Sequence, residues 1–397
     1  MRYLLASLLL VASALTAAAQ HDFPGARQIA AQMAPGWNLG NTLEGCTDVH
    51  LDANTGIDSE TAWQPTPVTP QLIHYIRQLG FRSVRIPCNW VNGHISDSVR
   101  TTIDPQWLAR VHEIVDYCIS DSLYVVLNDH WDGGWLENQG FVPEADVAAL
   151  TAKLKRLWTQ IALSFCDYDH HLLFAGLNEP FHTESTDSVR ASRLRVYEQA
   201  FIDAVRATGG NNRQRTLVVQ GPQTDINATC QHYLRLPVDP VPDRLMLEVH
   251  YYDPWPFCGL DKDAEWGRIA YYYNKENYPA DGERCPEWGD NGHAARQMQK
   301  LHDSFVSRGI PVIIGEYGAQ WRQLPTAREQ QLHDASVRAF FTDVTRSAVA
   351  AGCVPFVWDI NAPRPSGTRG TMTIIDRSAL SVFCQPALSG ILEGCIR

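Results

Sequence analysis

The sequence predicts a single (β/α)8 barrel, and three observations predict it. Short apolar runs, several nearly continuous in Val, Ile and Leu, alternate with helical patterns along the chain. Eight such runs occur, and a barrel of this kind needs eight strands, each followed by a helix. No Ser/Pro/Gly-rich linker, short repeat or second domain interrupts the alternation, so residues 20–397 read as one barrel.

The runs, in order, are GWNLG (36–40), SVRIP (83–87), YVVLN (124–128), LLFAGLN (172–178), TLVVQG (216–221), RLMLEVHY (244–251), PVIIGEY (311–317) and VPFVWD (354–359). Continuous apolar runs suit parallel strands, which are buried on both faces. Between them, PQLIHYIRQLG (70–80) stops at a Gly, and DPQWLARVHEIVDYCIS (104–120) opens with Asp104 as N-cap and Pro105 at the first helical position. Further helices are expected near 146–165, 188–208, 293–308 and 326–351. The stretch 253–292 is long, aromatic and aperiodic, which predicts an elaborated loop after strand six. A doubly wound open sheet is the competing fold, but no Gly-rich dinucleotide fingerprint follows the first strand.

Composition narrows the partners. The chain has 397 residues, 45% hydrophobic and 19% charged, with a formal charge of −11. That balance argues against nucleic acid, which needs a basic patch, and is compatible with a neutral ligand. Arg2 followed by an apolar, Ala-rich run and small residues at 17–19 reads as a secretory signal over residues 1–19. A secreted or periplasmic protein is therefore expected, off the membrane once the signal is cleaved, and a monomer. Ten Cys are present with no C-x-x-C spacing, so a structural zinc site is unsupported, and a metallohydrolase on His130 and His250 lacks an H-x-H or HExxH ligand pair; no metal or cofactor is expected. Export permits disulfides, and Cys258 with Cys285, sharing one loop region, is the candidate pair; buried free thiols are the competing reading.

Barrel strands point their C-termini to one face, where active sites sit. The predicted strand ends carry Asn38, Arg85, Trp90, His94, His130, Trp131, Asn178, Glu179, Glu248, His250, Tyr252, Glu316 and Trp358. A structural barrel has no need of such a polar set, because unpaired buried polar groups cost free energy. Glu179 and Glu316, at the ends of strands four and seven, can meet only through the fold. Paired carboxylates serve glycoside hydrolysis, one protonated as acid and one ionised as nucleophile. Arg85 and His donors could hold one ionised while enclosure raises the other. A lone Glu there would more simply be an ion-pair partner or helix cap. Trp90, Trp131, Trp135, Trp255 and Trp358 also fall at strand ends, where indole faces suit sugar rings; core packing is the alternative for each.

The motifs GWNLGNTLE (36–44), RIPCNW (85–90), NDHW (128–131), LNEP (177–180), EVHYYDPW (248–255), GEYG (315–318) and VWD (357–359) together resemble glycoside hydrolase family 5. The resemblance spans about 36 to 380. It implies that Glu179, in Asn-Glu-Pro, is the acid/base and Glu316, in Gly-Glu-Tyr-Gly, the nucleophile. It implies that Arg85 hydrogen-bonds the nucleophile, and that Asn178 binds the sugar 2-hydroxyl. Asn38, Trp90, His94, His130, Trp131, His250, Tyr252 and Trp358 are then substrate-binding. Trp131 stands where many members have a second His, and Ile360-Asn361-Ala362 follows Trp358-Asp359 in place of Asn-Gly. The expected reaction is retaining, endo-acting hydrolysis of β-1,4-glucosidic bonds in cellulose-like or mixed-linkage β-glucan, polymer or oligosaccharide. Xyloglucanase and β-mannanase are alternatives, as is a non-catalytic carbohydrate-binding barrel.

Overall fold

A computed structural model describes residues 23–181, 185–290, 292–364 and 369–396; the expected leader at 1–19 lies outside these residues. Eight parallel strands close into a barrel: β1 (Gly36–Asn38), β2 (Ser83–Ile86), β3 (Tyr124–Asn128), β4 (Leu172–Ala175), β5 (Leu217–Gln220), β6 (Leu245–Tyr251), β7 (Val312–Tyr317) and β8 (Cys353–Val357). The order around the barrel is the chain order, with β1 pairing both β2 and β8. The fold expectation therefore holds.

An N-terminal helix, α1 (Ala26–Met33), precedes the barrel. A helix then follows each strand in turn: α2 (Pro70–Gln78), α3 (Pro105–Ser120), α4 (Val147–Ser164), α5 (Asp187–Ala207), α6 (Ile226–His232), α7 (His293–Ser304), α8 (Ala327–Ala350) and α9 (Gln385–Gly394). Asp104 accepts from the Gln106 backbone N–H at the start of α3, as the sequence predicts. Among the described residues no helix is long and apolar enough to cross a membrane.

Strand alternation sorts the apolar side chains into two sets. Tyr124, Val126, Leu173, Ala175, Val218, Met246, Ile313, Val354 and Phe356 pack together inside the barrel, with Ala26, Ile29, Ala30 and Met33 of α1 against them. Val125, Leu127, Phe174, Leu247 and Ile314, their alternates, pack outward with the helices. Thus α1 plugs one end of the barrel, and the open end is free for a site.

The seam between β1 and β8 is locked by side chains, since β1 has only three residues. Trp37 Nε1 donates to Asp359 Oδ2 at 2.9 Å, and the Ile375 N–H donates to the same oxygen at 3.1 Å. Buried Arg377 lies over the Trp37 ring at 5.0 Å and donates to the carbonyls of Gly40 and Asp359 at 3.0 and 2.6 Å.

The loop after β6 is elaborated as expected; the helical pieces among its described residues are a single turn at Trp255–Cys258 and a tight turn at Lys275–Asn277. The Cys258–Cys285 bridge is not formed; all ten cysteines are free. The reason is packing: Cys258 is buried in the core by its turn, whereas Cys285 faces the outer loop with its thiol near the Glu283 carbonyl.

Candidate active site

The columns of side chains inside the barrel turn polar as they rise. Val126 is followed by Asn128, Val218 by Gln220, and Met246 by Glu248 and His250. Strand register then sets neighbours: Asn38 pairs with Arg85, Gln220 with Glu248, and His250 with Glu316. Regular alternation from Ile313 would turn Glu316 outward. A β-bulge intervenes, visible against both neighbours, because Ile314–Tyr317 spans one residue more than Pro355–Val357. The extra residue is Gly315. A Cβ there would lie 1.9 Å from Glu248 Oε1, so only glycine leaves room for that carboxylate.

Arg85 is the hub, and it is fully buried. Its Nε lies 2.8 Å from Glu248 Oε1, and its Nη1 donates to Glu316 Oε1 at 2.9 Å and Asn38 Oδ1 at 3.0 Å. Its Nη2 donates to Asn178 Oδ1 at 2.7 Å. A buried guanidinium survives only if paired on this scale. Tyr252 donates its hydroxyl to Glu316 Oε2 at 3.0 Å. His250 Nδ1 lies 2.6 Å from Glu179 Oε1 and 3.7 Å from Glu316 Oε2, while its Nε2 lies 3.3 Å from Glu248 Oε1. One oxygen each of Glu179 and Glu316 and one nitrogen of His250 lie within 4.8 Å of one another. The Glu179 side chain is 44% exposed to the cleft and Glu316 only 8%.

The electrostatics follow from crowding. Burial alone would keep His250 neutral, but Glu316, Glu179 and Glu248 around it push its pKa up to about 10. Burial drives His130 well below the usual histidine range, helped by Arg85 and His250, so it is neutral. For Glu179 burial acts upward, yet the His250 hydrogen bond and charge outweigh it and leave its pKa lowered. Burial raises Glu316 despite His250 and Arg85. The free site is thus inverted relative to the sequence expectation, which has the acid raised and the nucleophile lowered. The cause is His250, which rests against Glu179. Both of its nitrogens are engaged by carboxylates, Nδ1 by Glu179 and Nε2 by Glu248.

Two carboxylates to which the sequence assigns no role matter. Glu248, buried among Arg85, His250 and Gln220, completes the ion cluster. Glu137, also buried, accepts the backbone N–H groups of Asn178 and Glu179 through one oxygen, at 2.7 and 2.5 Å. Burial, then the Glu179 charge, pushes Glu137 up to about 8. No motif announces either role, although the position of Glu248 at a strand end is a signal.

The cleft opens on both sides of Glu179. A cavity of about 380 Å³ includes Trp63, His130, Trp131, Asn178 and Phe181, and another of about 230 Å³ includes Gln223, His250, Tyr252, Asp253 and Trp255. Trp358, half-buried, stacks parallel to His130 at 5.8 Å.

Of the expected residues, the structure brings Arg85, Asn38, Asn178, Glu179, His250, Tyr252 and Glu316 into one network, with His130 and Trp131 on the cleft and Trp358 stacked on His130. Asn38 is itself wholly buried and meets Arg85 rather than the cleft. Two placements are corrected. Trp90 is fully buried, with its indole N–H on the Asn128 carbonyl, and cannot flank a sugar. His94 is fully buried, stacked on Trp107 at 3.6 Å and bonded to Ser59, so it lies away from the mouth. Trp135 is likewise buried, whereas Trp63 and Trp255 are 44% and 42% exposed on the cleft.

A barrel with facing carboxylates, a buried arginine beneath one and indoles on the rim defines a glycoside hydrolase. The profile of the family described as Cellulase (glycosyl hydrolase family 5) matches residues 48–363, and the chain belongs to that family. It is 31% identical over 388 residues to "Endoglucanase A" of Paenibacillus barcinonensis, covering 93% of this chain and 90% of that one. It is 35% identical over 376 residues to the "Xyloglucan-specific endo-beta-1,4-glucanase BoGH5A" of Bacteroides ovatus, covering 92% and 70%. Among solved structures, XEG5B, a xyloglucan-specific β-1,4-glucanase from a ruminal metagenomic library in complex with XXLG, superposes with a TM-score of 0.85. It is 44% identical and covers 94% of this chain and 96% of that one.

Proposed function

We propose that the protein hydrolyses β-1,4-glucan internally with retention of configuration, using Glu316 as nucleophile and Glu179 as acid/base. The approach of Glu179 and Glu316 oxygens within 4.8 Å carries this reading. Retaining pairs stand about 5–5.5 Å apart, and inverting pairs leave roughly 6.5–9.5 Å for a water. Arg85 and Tyr252 hydrogen-bond Glu316 and favour its ionised form, while Glu179 faces the open cleft.

In the first step Glu316 attacks the anomeric carbon as Glu179 gives its proton to the departing glycosidic oxygen. In the second, Glu179 takes a proton from the water that releases the sugar from Glu316. Glu179 must therefore be protonated when substrate is bound. Substrate covering the half-exposed Glu179 carboxyl strips its water and moves it in that direction. Trp131 and Trp358 supply faces for the rings on either side of the cleaved bond, and no cofactor takes part.

Xyloglucan is a second reading of the same chemistry, favoured by the 44% identity to a xyloglucan-specific enzyme over almost the whole chain. The leader-like residues 1–19 support secreted or periplasmic action, as a monomer on extracellular polymer. The test is a panel of cellulose, mixed-linkage glucan, xyloglucan and mannan with product sizing, and proton NMR of the first anomer released. Internal cleavage with an initial β-anomer is expected; an initial α-anomer rules out retention.

A further inference from the structure

The elaborated loop after β6 carries exposed aromatic surface that the chemistry at Glu179 and Glu316 does not use. Trp266 is 68% exposed and Trp288 50% exposed, though indole ordinarily seeks cover. Both line one open cavity of about 520 Å³, with Pro256, Glu265 and Glu287.

The loop holds these indoles on a bonded frame. The Ala264 and Gly267 backbones pair across the turn that presents Trp266. The Ala270 N–H donates to the Pro256 carbonyl at 2.9 Å, tying this turn to the one that bears Trp255. Trp288 packs edge-on to His293 at 5.8 Å, and His293 Nε2 lies 3.2 Å from Asp253, a residue of the catalytic cleft. Gly289, beside Trp288, lies so close to Pro254 that a Cβ would stand 2.7 Å from the ring, and its φ is +78°. The surface is therefore fused to the end of the cleft at Trp255.

The charges there identify the class of ligand. Arg284 pairs with Asp263 at 2.5 Å and Arg268 with Glu283 at 3.2 Å, so both arginines of the cavity already have carboxylate partners, and Glu265 and Glu287 add negative charge that disfavours a phosphate or sulfate. What remains is flat indole bordered by hydroxyl-binding carboxylates and carbonyls, which suits a neutral sugar ring.

We infer that Trp266 and Trp288 form a distal glucan-binding surface that continues the cleft beyond Trp255 and engages the same polymer chain during hydrolysis. This rests on the β-1,4-glucan reading of the site. It makes the enzyme more effective on long chains than on short ones, because a second contact on one chain acts at high effective concentration.

The test compares Trp266→Ala, Trp288→Ala and the double variant. The first readout is kcat/KM on a long soluble β-glucan or xyloglucan divided by kcat/KM on cellotetraose. The second is retardation in native gels containing either polymer, with the same changes made in a Glu179→Gln background so that the gel is not digested. The ratio is expected to fall about five-fold per tryptophan, and retardation to weaken in step. Trp288→Ala removes a packed ring, but Trp266 is open, so the single Trp266→Ala variant decides if the other misfolds. An unchanged ratio and unchanged retardation, with wild-type protein still cleaving β-1,4-glucan, overturn the inference and leave the function standing. Equal loss on polymer and tetrasaccharide also overturns it, since a general defect acts on both. Retardation that needs Trp266, in a protein that cleaves no β-glucan, supports the surface and removes the proposed reaction.

Discussion

The barrel floor beneath the cleft and the loop after β6 are built on opposite plans. At the floor, Arg85, Asn38, Glu248 and Glu316 are buried, and each side chain is held by at least one other member of the cluster. In the loop, Trp255, Trp266 and Trp288 present open faces on a frame of turns. The floor places charge to a fraction of an ångström, which chemistry requires. The loop offers area to a ligand whose position can vary, which polymer binding requires. Precision is thus located on strands and register, and adaptability on a loop tied to them.

The sharpest way to break this comparison is at the floor. Glu316→Gln keeps the shape but removes the attacking charge, and kcat is expected to fall at least roughly 10⁴-fold on every substrate. Glu179→Gln is expected to be nearly inactive on polymer, yet to form a glycosyl-enzyme from a dinitrophenyl glycoside, which needs no proton to depart. Azide should then release the β-glycosyl azide, detectable by mass and NMR. A burst from Glu316→Gln and none from Glu179→Gln would reverse the two roles.

Trp358→Ala tests the boundary between floor and rim, where an indole lies parallel to neutral His130. A drop in kcat/KM of about 30-fold is expected on polymer, with partial return in Trp358→Phe. Near wild-type turnover in the alanine variant would remove Trp358 from the binding surface.

His250→Gln separates charge from shape. The imidazolium lowers Glu179 and opposes the upward shift of Glu316, so its loss raises both carboxyl pKa values. Both limbs of the kcat/KM against pH profile should move to higher pH, while a purely structural histidine would lower the rate without moving either.

The smallest effect concerns stability. Glu137 stays protonated in the folded protein up to about pH 8, whereas in the unfolded chain it ionises near 4.5. The unfolded state therefore binds fewer protons between these values, and stability falls as pH rises through that window. Glu137→Gln mimics the protonated form. Its unfolding free energy should decline less between pH 5 and 8 than that of the wild type, by an amount on the order of a few kcal/mol. Identical declines would show that Glu137 does not carry the effect.

The sequence displays the strands plainly, because a parallel barrel strand such as YVVLN is apolar on both faces. It displays Glu179 and Glu316 because both terminate such runs. Asn38, Arg85 and His250, at or near the ends of other such runs, share that visibility. Trp90 and His94 look the same in sequence as Trp131 and Trp358, but the chain after β2 folds inward and buries them. Glu137 and Trp63 lie in loops, where no periodicity marks direction, so only the fold reveals that one clamps the Glu179 backbone and the other faces the cleft. The bulge at Gly315 is hidden for a further reason: its glycine answers to Glu248 on another strand. The Cys258–Cys285 expectation fails similarly, since nearness in sequence says nothing of which side of a loop a thiol faces.

The seam that joins β1 to β8 has a consequence for how the chain is made. Trp37 leaves the ribosome long before its partners Asp359 and Arg377. Contacts of such high sequence separation close late. Asn38, which steadies Arg85, itself donates to the carbonyls of Gly315 and Val357 at 2.8 and 3.2 Å. The reactive cluster therefore cannot assemble before β7 and β8 are in place. A chain that ends before Arg377 is expected to carry both glutamates and cleave nothing, so the enzyme stays silent until the β1–β8 seam can close.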